Sequence, residues 1–113
     1  MSFPTSMNLS QAAIRDLRAL ASGLRLDKGR VVEMCLDNLE QEWRAGKLKV
    51  PAFSKAKRRI FPIVLTTEAV ASLDRLAPGL QQPRSKVVEL ALQRTGKDWG
   101  EGKIKGITLM GKD

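Results

Sequence analysis

Lys28-Gly29-Arg30 and Arg84-Ser85-Lys86 are the stretches whose residue types and placement point most directly to chemistry. Each follows a turn and opens a segment whose apolar residues recur at helical spacing, so each sets cations at a helix start. The free N–H groups and the positive dipole end at such a start suit an anion, a phosphate in particular. Cations there run against the dipole's own preference, a mismatch that an external anion resolves. Ordinary helix-surface charge is the other reading. A third basic stretch runs from Lys55 to Arg59: residues 51–65 hold four basic and no acidic side chains, half of the net charge of +8.

No residues for covalent or metal chemistry accompany these cations. With no His, there is no His-based zinc site, no Ser-His-Asp triad and no Cys-His dyad. A lone Cys35 excludes an internal disulfide and a CxxC site, and its place on an apolar stripe reads as an inert core residue. Neither phosphate-cradling glycine motif is present, no acidic cluster has metal spacing, and Glu33 and Glu89 read as surface or cap carboxylates. Neither an enzyme nor a cofactor is expected. Twenty basic against twelve acidic residues in 113, with a pI near 10.2, instead suggest a polyanionic partner, nucleic acid first. No apolar run approaches the roughly 18 residues of a membrane span and no signal-peptide pattern opens the chain. The cytoplasm is the expected compartment.

The elements that position these residues come from an internal repeat. A shift of 56 residues aligns 9–49 with 65–105 without a gap, and 15 of the 41 positions are identical. Gly23-Leu24 meets Gly79-Leu80, Val31-Val32-Glu33 meets Val87-Val88-Glu89, and Trp43 meets Trp99. The unit reads as strand, helix, turn, helix. Phe3, Thr5, Met7 and Leu9 alternate with Pro4, Ser6 and Asn8, the period of a half-buried strand. Ser10 caps a helix striped by Ile14, Leu17, Leu20, Ala21 and Leu24, which Gly23 ends in the left-handed conformation. Asp27 caps a second, with Val31, Val32, Cys35, Leu36, Leu39 and Trp43 on its apolar face, and Gly46 ends it.

The second copy repeats the plan. Phe61, Ile63 and Leu65 face inward, Thr66 or Thr67 is the cap, and Val70, Leu73, Leu76, Ala77 and Leu80 form the stripe. Gly79 ends that helix and Pro83 suits the first turn of the next, which Val87, Val88, Ala91, Leu92, Thr95 and Trp99 line. The organisation is therefore unit 1 at 1–49, a basic linker at 50–58, unit 2 at 59–105 and an extended tail at 106–113. Each Trp reads as a core or seam anchor; Lys47, Lys49, Lys103 and Lys105 trail them.

Leu9-Ser10 through Gly23 and Asp27 to Leu36, then Leu65-Thr66-Thr67 through Leu80 and Pro83 to Leu92, resemble the ribbon-helix-helix family, the Arc/MetJ-type DNA binders. The resemblance covers most of the chain. It implies a mainly α fold with a short two-stranded antiparallel ribbon. Since family members are usually homodimers, two units in one chain imply an intramolecular pseudo-dimer. The ribbon would enter the major groove of duplex DNA. Ser6, Asn8 and Arg58 would then reach base edges, and Lys28, Gly29, Arg30, Arg59, Arg84, Ser85 and Lys86 would hold phosphates. The outward residues of the second strand, Ile60, Pro62 and Val64, depart from the polar pattern of the family. They suit thymine methyl groups or a protein partner. Pro4 and Pro62 donate no ladder hydrogen bond, so the ribbon is expected to be short or irregular near both.

The expected function is that of a small DNA-binding regulator or repressor, acting in the cytoplasm on the nucleoid, with further self-association on DNA as an option. Two alternatives stand beside it: an accessory factor for plasmid transfer or partition, and a protein-interaction module of the antitoxin or anti-host kind on the same scaffold.

Overall fold

The computed structural model describes residues 2–48 and 57–100. Most of the expected linker and the whole expected tail, with Lys49, Lys103 and Lys105, lie outside the described residues. Four helices and a two-stranded antiparallel sheet follow in the order β1 (Ser2–Ser10), α1 (Gln11–Leu24), α2 (Lys28–Arg44), β2 (Arg58–Thr66), α3 (Thr67–Leu80) and α4 (Arg84–Gly100). Among the described residues no helix is long and apolar enough to cross a membrane.

β1 and β2 pair from Ser2 opposite Thr66 to Ser10 opposite Arg58, with Ser6 opposite Pro62 at the centre. The central partners are residues that the repeat aligns. The ribbon is neither short nor irregular: the register runs unbroken past Pro4 and Pro62. A two-stranded ribbon has only edge strands, and an edge proline is tolerated where its nitrogen faces away from the partner.

One face of the ribbon closes the core. Met7, Leu9, Ile63 and Leu65 are buried on it, and Thr5 and Phe61 are half-buried. Phe3, expected inward, is 38% exposed at the end of the ribbon, although Leu65 opposite it is buried. Below the ribbon the stripes of all four helices converge. Leu17, Leu20, Val31, Val32, Leu36, Leu73, Leu76, Val87, Val88 and Leu92 are buried in one cluster. α2 packs on α4, and each of these also packs on a first helix of the other copy, α2 on α3 and α4 on α1.

The caps follow the residue types. The Ser10 hydroxyl accepts from the Ala13 N–H, the Thr66 hydroxyl from that of Ala69, and the Asp27 carboxylate from that of Arg30. Pro83 holds the place of Asp27 in the second copy. It lies just before α4 rather than in its first turn, and its carbonyl accepts from the Lys86 and Val87 N–H groups.

The helix ends differ from the expectation in an informative way. The left-handed residues are Arg25 and Gln81, both at φ 56°, two positions beyond Gly23 and Gly79. Those glycines are helical, and their lack of a Cβ serves another purpose. A Cβ on Gly23 would stand 2.6 Å from Cζ2 of Trp99, and one on Gly79 would stand 2.4 Å from Cζ2 of Trp43. Each indole, half-buried against the core, thus lies on the first helix of the other copy. Gly46 is left-handed, at φ 72°, just after α2.

Candidate nucleic-acid interface

The ribbon's second face looks away from the helices. Pro4 opposite Val64, Ser6 opposite Pro62 and Asn8 opposite Ile60 make three successive outward rungs, and all six residues are exposed. Ile60 is 72% and Val64 53% exposed, unusual for large aliphatic side chains. Each rung carries at most one side chain able to hydrogen-bond, always on β1. The Pro4–Val64 rung carries none.

The start of α2 abuts this face. A Cβ on buried Gly29 would stand 2.2 Å from the Val64 carbonyl oxygen, so only glycine lets the helix and the ribbon backbone meet so closely. Lys28 and Arg30, on either side of it, are exposed beside the Val64 end. Gly29 itself is a packing residue here, and the Arg30 N–H is occupied by Asp27 at 3.0 Å. At the start of α4, which packs on β1, Ser85 and Lys86 are half-buried and the Lys86 N–H bonds the Pro83 carbonyl at 3.0 Å. Arg84 is exposed, with its guanidinium on the Asp74 carboxylate.

Arg58, expected on the outer face, turns its guanidinium onto Glu89. Its Nε and Nη2 donate to the two carboxylate oxygens at 3.1 and 3.0 Å. Glu89 is only 1% exposed and also accepts the Ser10 N–H at 3.1 Å. Its repeat counterpart Glu33 accepts from the Thr66 hydroxyl at 2.6 Å. The surface carboxylates expected from the sequence are therefore ties. Each joins the second helix of one copy to the strand–helix junction of the other. Arg58 sits on the last rung, where alternation no longer decides which way a long side chain turns.

Three arginines form a cluster that strand alternation and helix starts do not reveal. Arg15 and Arg18 of α1 line a surface hollow together with Arg59 of β2, and all three are exposed. The Arg18 guanidinium carbon lies 5.6 Å from the centroid of the Phe61 ring, a cation–π contact that steadies it. The i, i+3 spacing of Arg15 and Arg18 is visible in the sequence. Their meeting with Arg59 depends on the register that sets Arg59 opposite Leu9. The repeat-equivalent positions hold Ala71, Asp74 and Phe3, so the cluster has no counterpart at the other end of the ribbon.

Remaining titratable groups serve the fold. Burial pushes the Cys35 thiol up to about 12, partly offset by a hydrogen bond with Thr95. The Arg75 hydrogen bond, with the charges of Arg75 and Arg44, holds Glu40 below the usual carboxylate range. Burial raises Asp16, against the opposing charge of Arg15. Among the described residues, no group of three or more potential ligands could hold a metal ion. Comparison with protein-family models, curated proteins and solved structures finds no match for this chain.

Proposed function

We propose that the chain binds duplex DNA by laying the outer face of the β1–β2 ribbon in the major groove, and regulates transcription by occupying its site. The observation that carries this reading is the ribbon itself, one face buried and the other wholly exposed, with cations abutting it. A B-form major groove is about 12 Å wide and admits a two-stranded ribbon. Lys28 and Arg30 beside Val64, and Arg15, Arg18 and Arg59 beside the Asn8–Ile60 rung, would in this reading meet the phosphates on either side. Ser6 and Asn8 are the side chains that reach base edges with hydrogen-bonding groups. Arg58, engaged by Glu89, is left out of that set. Such a protein works in the cytoplasm, on the nucleoid.

The two copies act in this reading as an intramolecular pseudo-dimer. Three reciprocal features support it: the ribbon centred on the aligned pair Ser6 and Pro62, each Trp on the other copy's glycine, and each repeated Glu on the other copy's junction. A unit of some 45 residues is too small to enclose a good core alone, and an isolated hairpin-sized ribbon is marginal.

The test is fluorescence anisotropy with a labelled pool of random duplexes, followed by selection of the preferred site. With about five or six phosphates engaged, affinity should fall roughly a thousandfold between about 50 and 200 mM salt. A flat salt response would overturn the reading. It would favour a second one, docking of a protein on the same face, for which the exposure of Ile60 and Val64 speaks.

A further inference from the structure

We infer that the two ends of the ribbon read DNA by different chemistry, the Pro4–Val64 end selecting its half-site through the 5-methyl group of a pyrimidine. This rests on the DNA-binding reading above and names what that site accepts.

The repeat makes Asn8 and Val64 equivalent positions, and likewise Pro4 and Ile60. The antiparallel register therefore gives two related ends: Asn8 beside Ile60, and Val64 beside Pro4. In a chain with two identical units the ends would be alike. Here the first offers a carboxamide and an aliphatic group, and the second offers only carbon. Two of the backbone groups on that rung are also lost to a base edge. The Val64 carbonyl is directed at Gly29 of α2, and Pro4 has no N–H.

In the major groove a base edge presents hydrogen-bonding groups at every pair, and a methyl group only at thymine. Val64, 53% exposed and with its backbone carbonyl packed on the start of α2, presents an aliphatic surface that can cover such a methyl. Pressed against cytosine or guanine it would strip water from an amino or carbonyl group and return no hydrogen bond, which costs more than an unfilled contact. The selection is thus partly attraction to the methyl and partly rejection of bare polar edges. At the other end the Asn8 carboxamide matches the N6 and N7 of adenine, and Ile60 stands beside it.

The phosphate grip is unequal in the same sense. Arg59 lies on the rung next to Asn8–Ile60, where Arg15 and Arg18 join it, while Phe3 holds the place of Arg59 at the Val64 end. The end that can hydrogen-bond is also the more cationic. The target is then two unlike half-sites, and the protein sits on it in one orientation.

The experiment starts from the duplex selected by the wild-type chain. Asn8→Ala first marks the half-site that faces Asn8. Deoxyuridine, which lacks only the methyl group, then replaces each thymine in turn. In the other half-site at least one replacement should weaken binding about three- to fivefold, the size of one lost methyl contact. A 5-methylcytosine–guanine pair at that position should bind more tightly than cytosine–guanine, since thymine and 5-methylcytosine share the group read. Val64→Ala, on an exposed face and with an unchanged melting temperature, should remove both effects and leave the Asn8 half-site as it was. A selected duplex insensitive to every deoxyuridine replacement outside the Asn8 half-site overturns the inference and leaves DNA binding standing. Absence of salt-dependent binding to any duplex overturns both.

Discussion

Trp99 lies so close over Gly23 that a methyl group on the glycine would stand 2.6 Å from its Cζ2, and Trp43 meets Gly79 in the same way. A glycine inside a helix normally costs about 1 kcal/mol relative to alanine. That cost is retained twice, each time to let an indole from the other copy approach the helix backbone. Gly23→Ala and Gly79→Ala should therefore destabilise the chain by about 1–3 kcal/mol, as overpacked sites do. Gly23→Ala combined with Trp99→Leu should cost less than the two changes summed, since the clash is removed with the indole. Urea unfolding of the four variants measures this. A stabilising Gly23→Ala would mean that the indole is elsewhere.

The repeated glutamates predict an asymmetry. Glu89 is buried and satisfies both the Ser10 N–H and the Arg58 guanidinium, whereas Glu33 is half-buried and takes one hydroxyl. Glu89→Ala removes the acceptor of the buried Ser10 N–H and the bidentate partner of the Arg58 guanidinium, and should cost about 2–4 kcal/mol. Glu33→Ala should cost about 1 kcal/mol. Equal losses in denaturant unfolding would contradict the placement of Arg58.

These contacts show where sequence reading stops. Periodicity and caps are local, so the stripes through Leu17 and Leu73, the caps Ser10 and Asp27 and the inward set Met7, Leu9, Ile63 and Leu65 are legible, while the choice of Thr66 over Thr67 as the remaining cap comes from the structure. The outward set Pro4, Ser6, Asn8, Ile60, Pro62 and Val64 followed from the same alternation. Gly23 was legible as a special position but not for its reason, because its partner Trp99 lies in the other copy. Arg58 escaped because a terminal rung leaves a long side chain free to choose the better partner, and Glu89 is buried within its reach. Arg15, Arg18 and Arg59 come together only through the register of a ribbon whose strands are separated by two helices.

Acid unfolding should separate two carboxylates of opposite tendency. Glu40 is held below its ordinary 4.5, chiefly by its hydrogen bond with Arg75. Its contribution to stability is present above 4.5 and lost as pH falls through the lowered value. Asp16 is raised above 3.8 by burial, so it costs stability above its raised value and the cost disappears as pH falls below 3.8. Glu40→Gln should lower stability at neutral pH and flatten its decline in acid. Asp16→Ser, the residue type at the aligned Ser72, should raise stability at neutral pH only. Urea midpoints from about pH 7 to about pH 3 test both signs.

The Cys35 thiol, buried and pushed up to about 12, is protonated at neutral pH and shielded from reagents. Labelling by a thiol reagent should require opening of the core and follow the urea-measured unfolding equilibrium. Rapid labelling of the native chain would place Cys35 at the surface.

In the DNA-binding reading, the Arg84–Asp74 ion pair competes with the phosphate contact that the family resemblance implies for Arg84. Their ion pair is exposed on both sides, so it should add less than about 1 kcal/mol to the fold. Asp74→Asn should accordingly leave the melting temperature in place. It removes a negative charge beside a proposed phosphate contact and frees the guanidinium. Binding should tighten alike on every duplex, and the slope of log affinity against log salt should steepen by up to about one. Arg84→Ala should do the reverse, and in its presence Asp74→Asn should retain only the part due to removing the negative charge. Neither change should alter the selected site, because phosphates carry no sequence information. Asn8→Ala should instead relax one half-site, by about 1–3 kcal/mol in discrimination. Site selection with the three variants distinguishes these roles, and a shift in preferred sequence on Asp74→Asn would put Arg84 at a base edge.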